Sequence, residues 1–292
     1  MKHYWLFLSA FLGFSVSANH SPMNIMTPNW AIAATLTEIG QPPVAMEDKR
    51  VYPQWVSQPV QPDSVIDMGP RYQPNRELLE QIPISHIMQN FFYSHLRDIY
   101  PSHIPVTDIL FDGGNTETYQ RWQTYVNAAK QIGVTIRREK AVDDYLHQVE
   151  QQLARYGADI RRHHAPIEYY AVVQFGSAKE LRIYSTNSLF SVAFQLMGLK
   201  QATLGLGNRW GNRLIRITEL AKLPPNTCLL IIEPFSLMTE TELTKSYVWN
   251  RLGFGKTRCM YKLPSVWLFG GPESIAHFSR FLHEAVMREG RR

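Results

Sequence analysis

Seven apolar residues, Val142, Tyr145, Leu146, Val149, Leu153, Tyr156 and Ile160, recur at steps of three and four through the middle of the chain, with no proline among them. That spacing draws one apolar stripe down a helix predicted over residues 139–163, about 36 Å long at ~1.5 Å per residue. Globular helices average about 10–14 residues, so this one is unusually long. On both sides of it short apolar runs alternate with helical patterns, which is how α/β layers with parallel sheets read in sequence. The fold class predicted is α/β: two Rossmann-like lobes, residues 19–138 and 164–292, joined by a single long connecting helix, with a ligand cleft between the lobes. Gly157 is the one soft point in the connector, weaker than alanine by about 1 kcal/mol.

Ahead of the first lobe, Lys2 precedes an apolar run from Tyr4 to Ala18 that closes on Val16-Ser17-Ala18. Residues 1–18 therefore read as a signal peptide cleaved after Ala18. The run falls short of the ~20 residues that cross a bilayer, so an uncleaved anchor is the weaker alternative. The mature protein is expected to be exported and soluble. Hydrophobic residues at 45% and charged residues at 19% exclude a disordered chain. A net charge of +5, from 30 basic and 25 acidic residues, is too thin and scattered to argue for nucleic acid. Cys228 and Cys259 are the only cysteines. An exported compartment would let them pair, and buried free thiols fit the same apolar strands.

Within the first lobe, strands are expected at residues 25–28, 44–46 and 84–88, and helices at 31–39, 75–81 and 112–132. In the second lobe strands are expected at 169–174, 181–184, 228–233 and 259–262. Helices there are read at 187–197, 218–223, 240–251 and 272–288.

Enzyme signatures fail one by one. Gly253-Phe254-Gly255-Lys256-Thr257 ends like a phosphate-binding loop, but Asn250 stands where its first glycine belongs. Gly205-Leu206-Gly207 lacks a third glycine and a dinucleotide context. No G-x-S-x-G turn occurs. His163 and His164 cannot share a helix face and read as a solvated basic end, not a metal pair. No catalytic residue, metal site or enzymatic activity is assigned.

Aromatic residues in loops are the positive signal. Trp30 follows the first strand, Trp55 lies in a proline-rich loop and Tyr93 follows the strand at 84–88. Trp210 sits in the glycine loop of the second half, and Trp267 follows the last strand. In open α/β sheets ligands bind beyond the carboxyl ends of strands, so these five predict a shared aromatic cleft. Arg71, held between Pro70 and Pro74, could offer its guanidinium to an oxygen-rich or anionic ligand there.

The stretches Trp55-Val56-Ser57-Gln58-Pro59, Pro62 to Gly69, Arg71 with Pro74-Asn75 and Glu77-Leu78-Leu79, Asn187-Ser188-Leu189-Phe190, Trp210-Gly211, Pro264 to Trp267 and Ala276-His277-Phe278 resemble the periplasmic binding proteins for ferric hydroxamate siderophores, the ferrichrome-type receptors of ABC importers. The resemblance implies two α/β lobes, one connecting helix and a shallow cleft. It implies that Arg71 and Tyr93 hydrogen-bond the iron-bound hydroxamate oxygens while Trp30, Trp55, Trp210 and Trp267 line the walls. It departs from the family around Tyr93, at residues 89–92, and at Phe269, where the family has tyrosine.

The function implied is a monomeric periplasmic carrier that captures an Fe(III)-hydroxamate siderophore and delivers it to an inner-membrane permease with its ATPase. No cofactor is implied, since iron arrives inside the siderophore. The alternative keeps the fold and changes the cargo to haem, cobalamin or a catecholate siderophore, with Arg209 the second basic residue available to an anion. By the same resemblance Asp98 and Glu219 are the acids expected to dock on permease arginines, one from each lobe.

Overall fold

The computed structural model describes residues 23–111 and 121–289. The signal-peptide reading and the opening of the helix expected at 112–132 lie outside them. In the first lobe, β1 (Ile25–Thr27) leads into α1 (Trp30–Glu38), where the Asn29 side chain accepts the Ala31 and Ile32 N–H groups and caps the helix. There follow β2 (Ala45–Met46), α2 (Tyr52–Trp55), β3 (Ile66–Asp67), α3 (Arg76–Gln81), β4 (His86–Gln89) and β5 (Val106–Asp108). The five strands are all parallel, in the order β3-β2-β1-β4-β5. With β1 at the centre, the loops after β1, β2, β3 and β4 share one edge of the sheet.

α4 (Trp122–Ile136) ends at Arg137 in a left-handed conformation, φ 58°, and the chain turns directly into α5 (Glu139–His163). Val142, Leu146, Val149, Leu153 and Ile160 of α5 are buried, as the stripe requires. Each such side chain contributes about 1.5–3 kcal/mol on burial, so packing and not propensity fixes this helix. Gly157 proves to be a contact point and not a soft one. A Cβ there would lie 1.8 Å from the Met197 carbonyl oxygen, so only glycine lets the two helices approach this closely.

The second lobe holds β6 (Tyr169–Phe175), β7 (Glu180–Tyr184), α6 (Leu189–Met197), β8 (Lys200–Gln201), β9 (Asn212–Arg216), β10 (Thr227–Ile232), α7 (Leu237–Lys245), α8 (Tyr247–Leu252), β11 (Met260–Leu263) and α9 (Pro272–Glu289). Its sheet runs β11-β10-β6-β7-β9, with β8 also on β6. Unlike the parallel sheet of the first lobe, this one is mixed. β6 and β7 are antiparallel because a tight turn joins them, and β7 pairs β9 antiparallel as well. The single helix expected at 240–251 is two, since Ser246 turns out of the helix and accepts the Trp249 N–H to cap α8.

Cys228 on β10 and Cys259, the residue just before the neighbouring strand β11, are joined as a disulfide, which settles the alternative left open by the sequence. His164 is not a solvated end. Its ring is hydrogen-bonded to the Tyr170 and Tyr261 hydroxyls at 2.9 and 3.1 Å, beside the Cys259 sulfur. α5 is also not the only tie between lobes. α9 packs on α5 and α6 and reaches α1 and α4 of the first lobe, and one apolar core runs continuously through all five helices.

Candidate functional site

The loops at the carboxyl edge of the first sheet meet the loop after β11 and the 202–211 loop of the second lobe. Between them lies a cavity of about 310 Å3 walled by Tyr72, Phe92, Tyr93, Trp210, Trp267 and Phe269. Asn29, Arg71 and Asn90 are its polar members. Small-molecule sites of roughly 300–1,000 Å3 are built this way, with apolar walls and a few placed polar groups.

Arg71 is fixed from several sides. Its Nε donates to Asp48 Oδ2 at 2.9 Å, and its backbone N–H donates to the same oxygen at 3.3 Å. The guanidinium lies 3.9 Å above the Trp30 ring and 5.6 Å from that of Trp267. Trp30 is fully buried, donates its indole N–H to the Glu47 carbonyl at 3.0 Å, and meets Trp267 across the lobes at 4.8 Å. Tyr93 is buried beside Arg71. Burial pushes its phenol up to about 12, with Arg71 pulling the other way, so it stays a neutral hydrogen-bond donor. Below this pair Glu47 is fully buried, and its carboxyl oxygens have no hydrogen-bond partner. Burial, and next the Asp48 charge, push it up to about 9, so it is neutral at pH 7.

A second, smaller chamber of about 40 Å3 opens beside the first and shares Asn90, Phe92, Trp210 and Phe269 with it. Its further polar lining is Asn187, Ser188 and Arg209. Phe92 of the first lobe touches Trp210 of the second at 5.4 Å, and Phe269 packs edge-on against both Trp210 and Trp267 at 5.3 Å.

Of the residues expected at the site, Arg71, Tyr93, Trp210 and Trp267 line the main cavity, and Trp30 lies buried beneath Arg71, outside the lining. Trp55 does not join them: it ends α2, 38% exposed, away from the lining. Phe92, Phe269, Tyr72 and Asn90 were missed as wall residues, although Phe92 and Phe269 stand beside expected ones in the same loops. Asp98 is exposed just beyond the 3-10 helix Phe91–Leu96. Glu219 caps the 3-10 helix Ile217–Lys222, accepting the Arg216 N–H at 3.2 Å and Lys222 Nζ at 3.4 Å. The bond from the Arg216 backbone is the main reason its carboxyl sits below the usual range.

No protein-family model matches the chain. It is 24% identical over 265 residues, 91% of its own length and 87% of the relative's, to the iron(3+)-hydroxamate-binding protein FhuD of Escherichia coli K12. The crystal structure of the siderophore-binding protein FhuD of Vibrio cholerae with Fe3+-Desferal bound superposes with a TM-score of 0.81 at 22% identity, covering 91% of this chain and 98% of that one. A periplasmic binding protein component of a ferrichrome ABC transporter from Bacillus subtilis gives 0.66 at 13% identity, covering 91% and 97%. The architecture of the chain is therefore the two-lobed α/β fold of the FhuD-type binding proteins.

Proposed function

We propose that this chain is the periplasmic substrate-binding component of an ABC importer, which captures an Fe(III)-hydroxamate siderophore and delivers it to an inner-membrane permease with its ATPase. The observation that carries this reading is the aromatic cavity with Arg71 fixed at its floor by Asp48 and Trp30, beside the neutral phenol of Tyr93. A ferric trihydroxamate is a neutral, bulky, half-apolar complex whose rim of oxygens accepts hydrogen bonds. Flat aromatic walls and two donors suit that ligand. Similarity to the Escherichia coli protein over nine-tenths of the chain supports the same class.

In this reading the protein is a monomeric carrier and not an enzyme, and the siderophore's oxygens hold the iron. Asp98 and Glu219 are the acids offered to the permease, and the Glu219 capping bonds hold its carboxylate in one orientation. A triscatecholate cargo, a multiply charged anion, would meet only Arg71 and Arg209 among the described lining residues, and Asp48 already offsets Arg71.

Tryptophan fluorescence tests the proposal, because Trp210 and Trp267 line the cavity and Trp30 lies directly beneath. Ferric complexes of ferrichrome, ferrioxamine, coprogen or aerobactin type should quench it saturably. Absence of saturable quenching by all of them would contradict the proposal.

A further inference from the structure

Two guanidinium groups line the joined chambers, and no described lining residue is an Asp or Glu. The two cations differ. Arg71 is paired with Asp48 at 2.9 Å, and Glu47 below it is held neutral by burial. Arg209 forms no ion pair among the described residues. It is exposed at the small chamber and lies 4.2 Å over the ring of Trp210, which lines both chambers. Stacking on an aromatic face occupies the flat side of a guanidinium and leaves its N–H edge to donate, the geometry that takes a carboxylate in two parallel bonds. Among the described residues the cleft thus carries one positive charge without an ion pair, placed to one side of the cavity that fits the ferric core.

The small chamber beside Arg209 sets the size of what reaches it. One water needs about 10–15 Å3 of such volume, so about 40 Å3 admits a group of two or three heavy atoms and not a second ring. Asn90, Asn187 and Ser188 make its lining polar. The ferric trihydroxamate core is neutral and gives Arg209 nothing to pair with, so an anionic partner for it within the ligand would come from an arm.

We infer that the cargo is a ferric hydroxamate siderophore bearing a pendant carboxylate, with the core in the aromatic cavity at Arg71 and Tyr93 and the carboxylate arm in the side chamber at Arg209. This rests on the function proposed above and narrows it to an acidic subclass. A pendant ammonium would face Arg209 directly and be disfavoured by like charge.

Three ferric ligands with one core test it: ferrioxamine B, which ends in an ammonium, its N-acetyl derivative, which is neutral, and its N-succinyl derivative, which ends in a carboxylate. Titrated against the full chain by fluorescence quenching, the succinyl complex should bind tightest, about tenfold over the acetyl complex, as expected for one charge-assisted contact in a half-open site. The ammonium form should bind weakest. In Arg209→Gln the succinyl-to-acetyl ratio should fall to about one, and Arg209→Lys should restore part of it, because the charge returns without the bidentate edge. Equal affinity for all three ligands, or a ratio that survives Arg209→Gln, overturns the inference while leaving the hydroxamate function intact. Failure of all three to bind overturns both.

Discussion

The Thr35 hydroxyl on α1 donates to Glu273 Oε2 on α9 at 2.8 Å, a buried contact that ties the first lobe to the last helix of the second. The other Glu273 oxygen accepts the Gly271 N–H at 2.7 Å and the Ser274 hydroxyl at 3.3 Å. Burial pushes this carboxyl up to about 7 despite those bonds. The folded protein therefore favours the protonated form more than the unfolded chain does. Its contribution to stability is full below about pH 4.5, declines as the pH rises, and is lost through about pH 7. The rise from 4.5 to about 7 corresponds to about 3 kcal/mol at ~1.4 kcal/mol per unit. Glu273→Gln keeps the shape and removes the titration. Urea unfolding of both proteins should show Glu273→Gln gaining on the parent between pH 5 and pH 8, and parallel pH profiles would contradict this.

Gly157 predicts a second stability effect. The Met197 carbonyl sits where a Cβ would be, and Arg161 further along α5 donates to the Met197 and Gly198 carbonyls that end α6. Gly157→Ala would raise intrinsic helicity yet push α6 away, so the packing loss of about 1–3 kcal/mol should exceed the propensity gain of about 1. A lowered thermal midpoint is expected. A raised one would mean that α5 and α6 do not pack this closely.

Small-angle scattering addresses motion. Continuous α5 resists bending because a sharp kink must break backbone hydrogen bonds with no proline to permit it. The structure adds braces that the sequence did not reveal. His277 on α9 meets Glu38 at 2.7 Å, and Ser57 donates both its N–H and its hydroxyl to the Ser265 carbonyl across the lobes. Binding of a ferric siderophore should leave the radius of gyration unchanged within error. A clear decrease would contradict a rigid frame and place the closure in a hinge.

What the sequence revealed followed the length of each signal. α5 and α9 were legible because long apolar stripes at helical spacing have one reading. β3 and β8 are two residues each, too short for any period to show. β9 hides for a different reason: Asn212-Arg213-Leu214-Ile215-Arg216 is charged and turns Leu214 outward, as an edge strand can. Around the cavity, Arg71 was singled out by its stiff loop, and Tyr93, Trp210 and Trp267 by their places beside strands, and all four line it. Trp55, singled out by its proline-rich loop, ends α2 half-exposed and is not part of that lining. Glu47 left no trace in the sequence, since a carboxyl held neutral by burial looks like any surface acid until the loops close over it.

In the proposed function the siderophore carries the iron into this cleft, and the protein holds the complex by Arg71, Tyr93 and aromatic walls. The most direct measurement is a crystal structure of the chain with a ferric hydroxamate, with the iron located by its anomalous scattering. One iron peak is expected between the walls of Tyr93, Trp210 and Trp267, beside the Arg71 guanidinium, with six siderophore oxygens and no protein atom around the metal. An iron bound by protein side chains, or a peak outside the cleft, would contradict it.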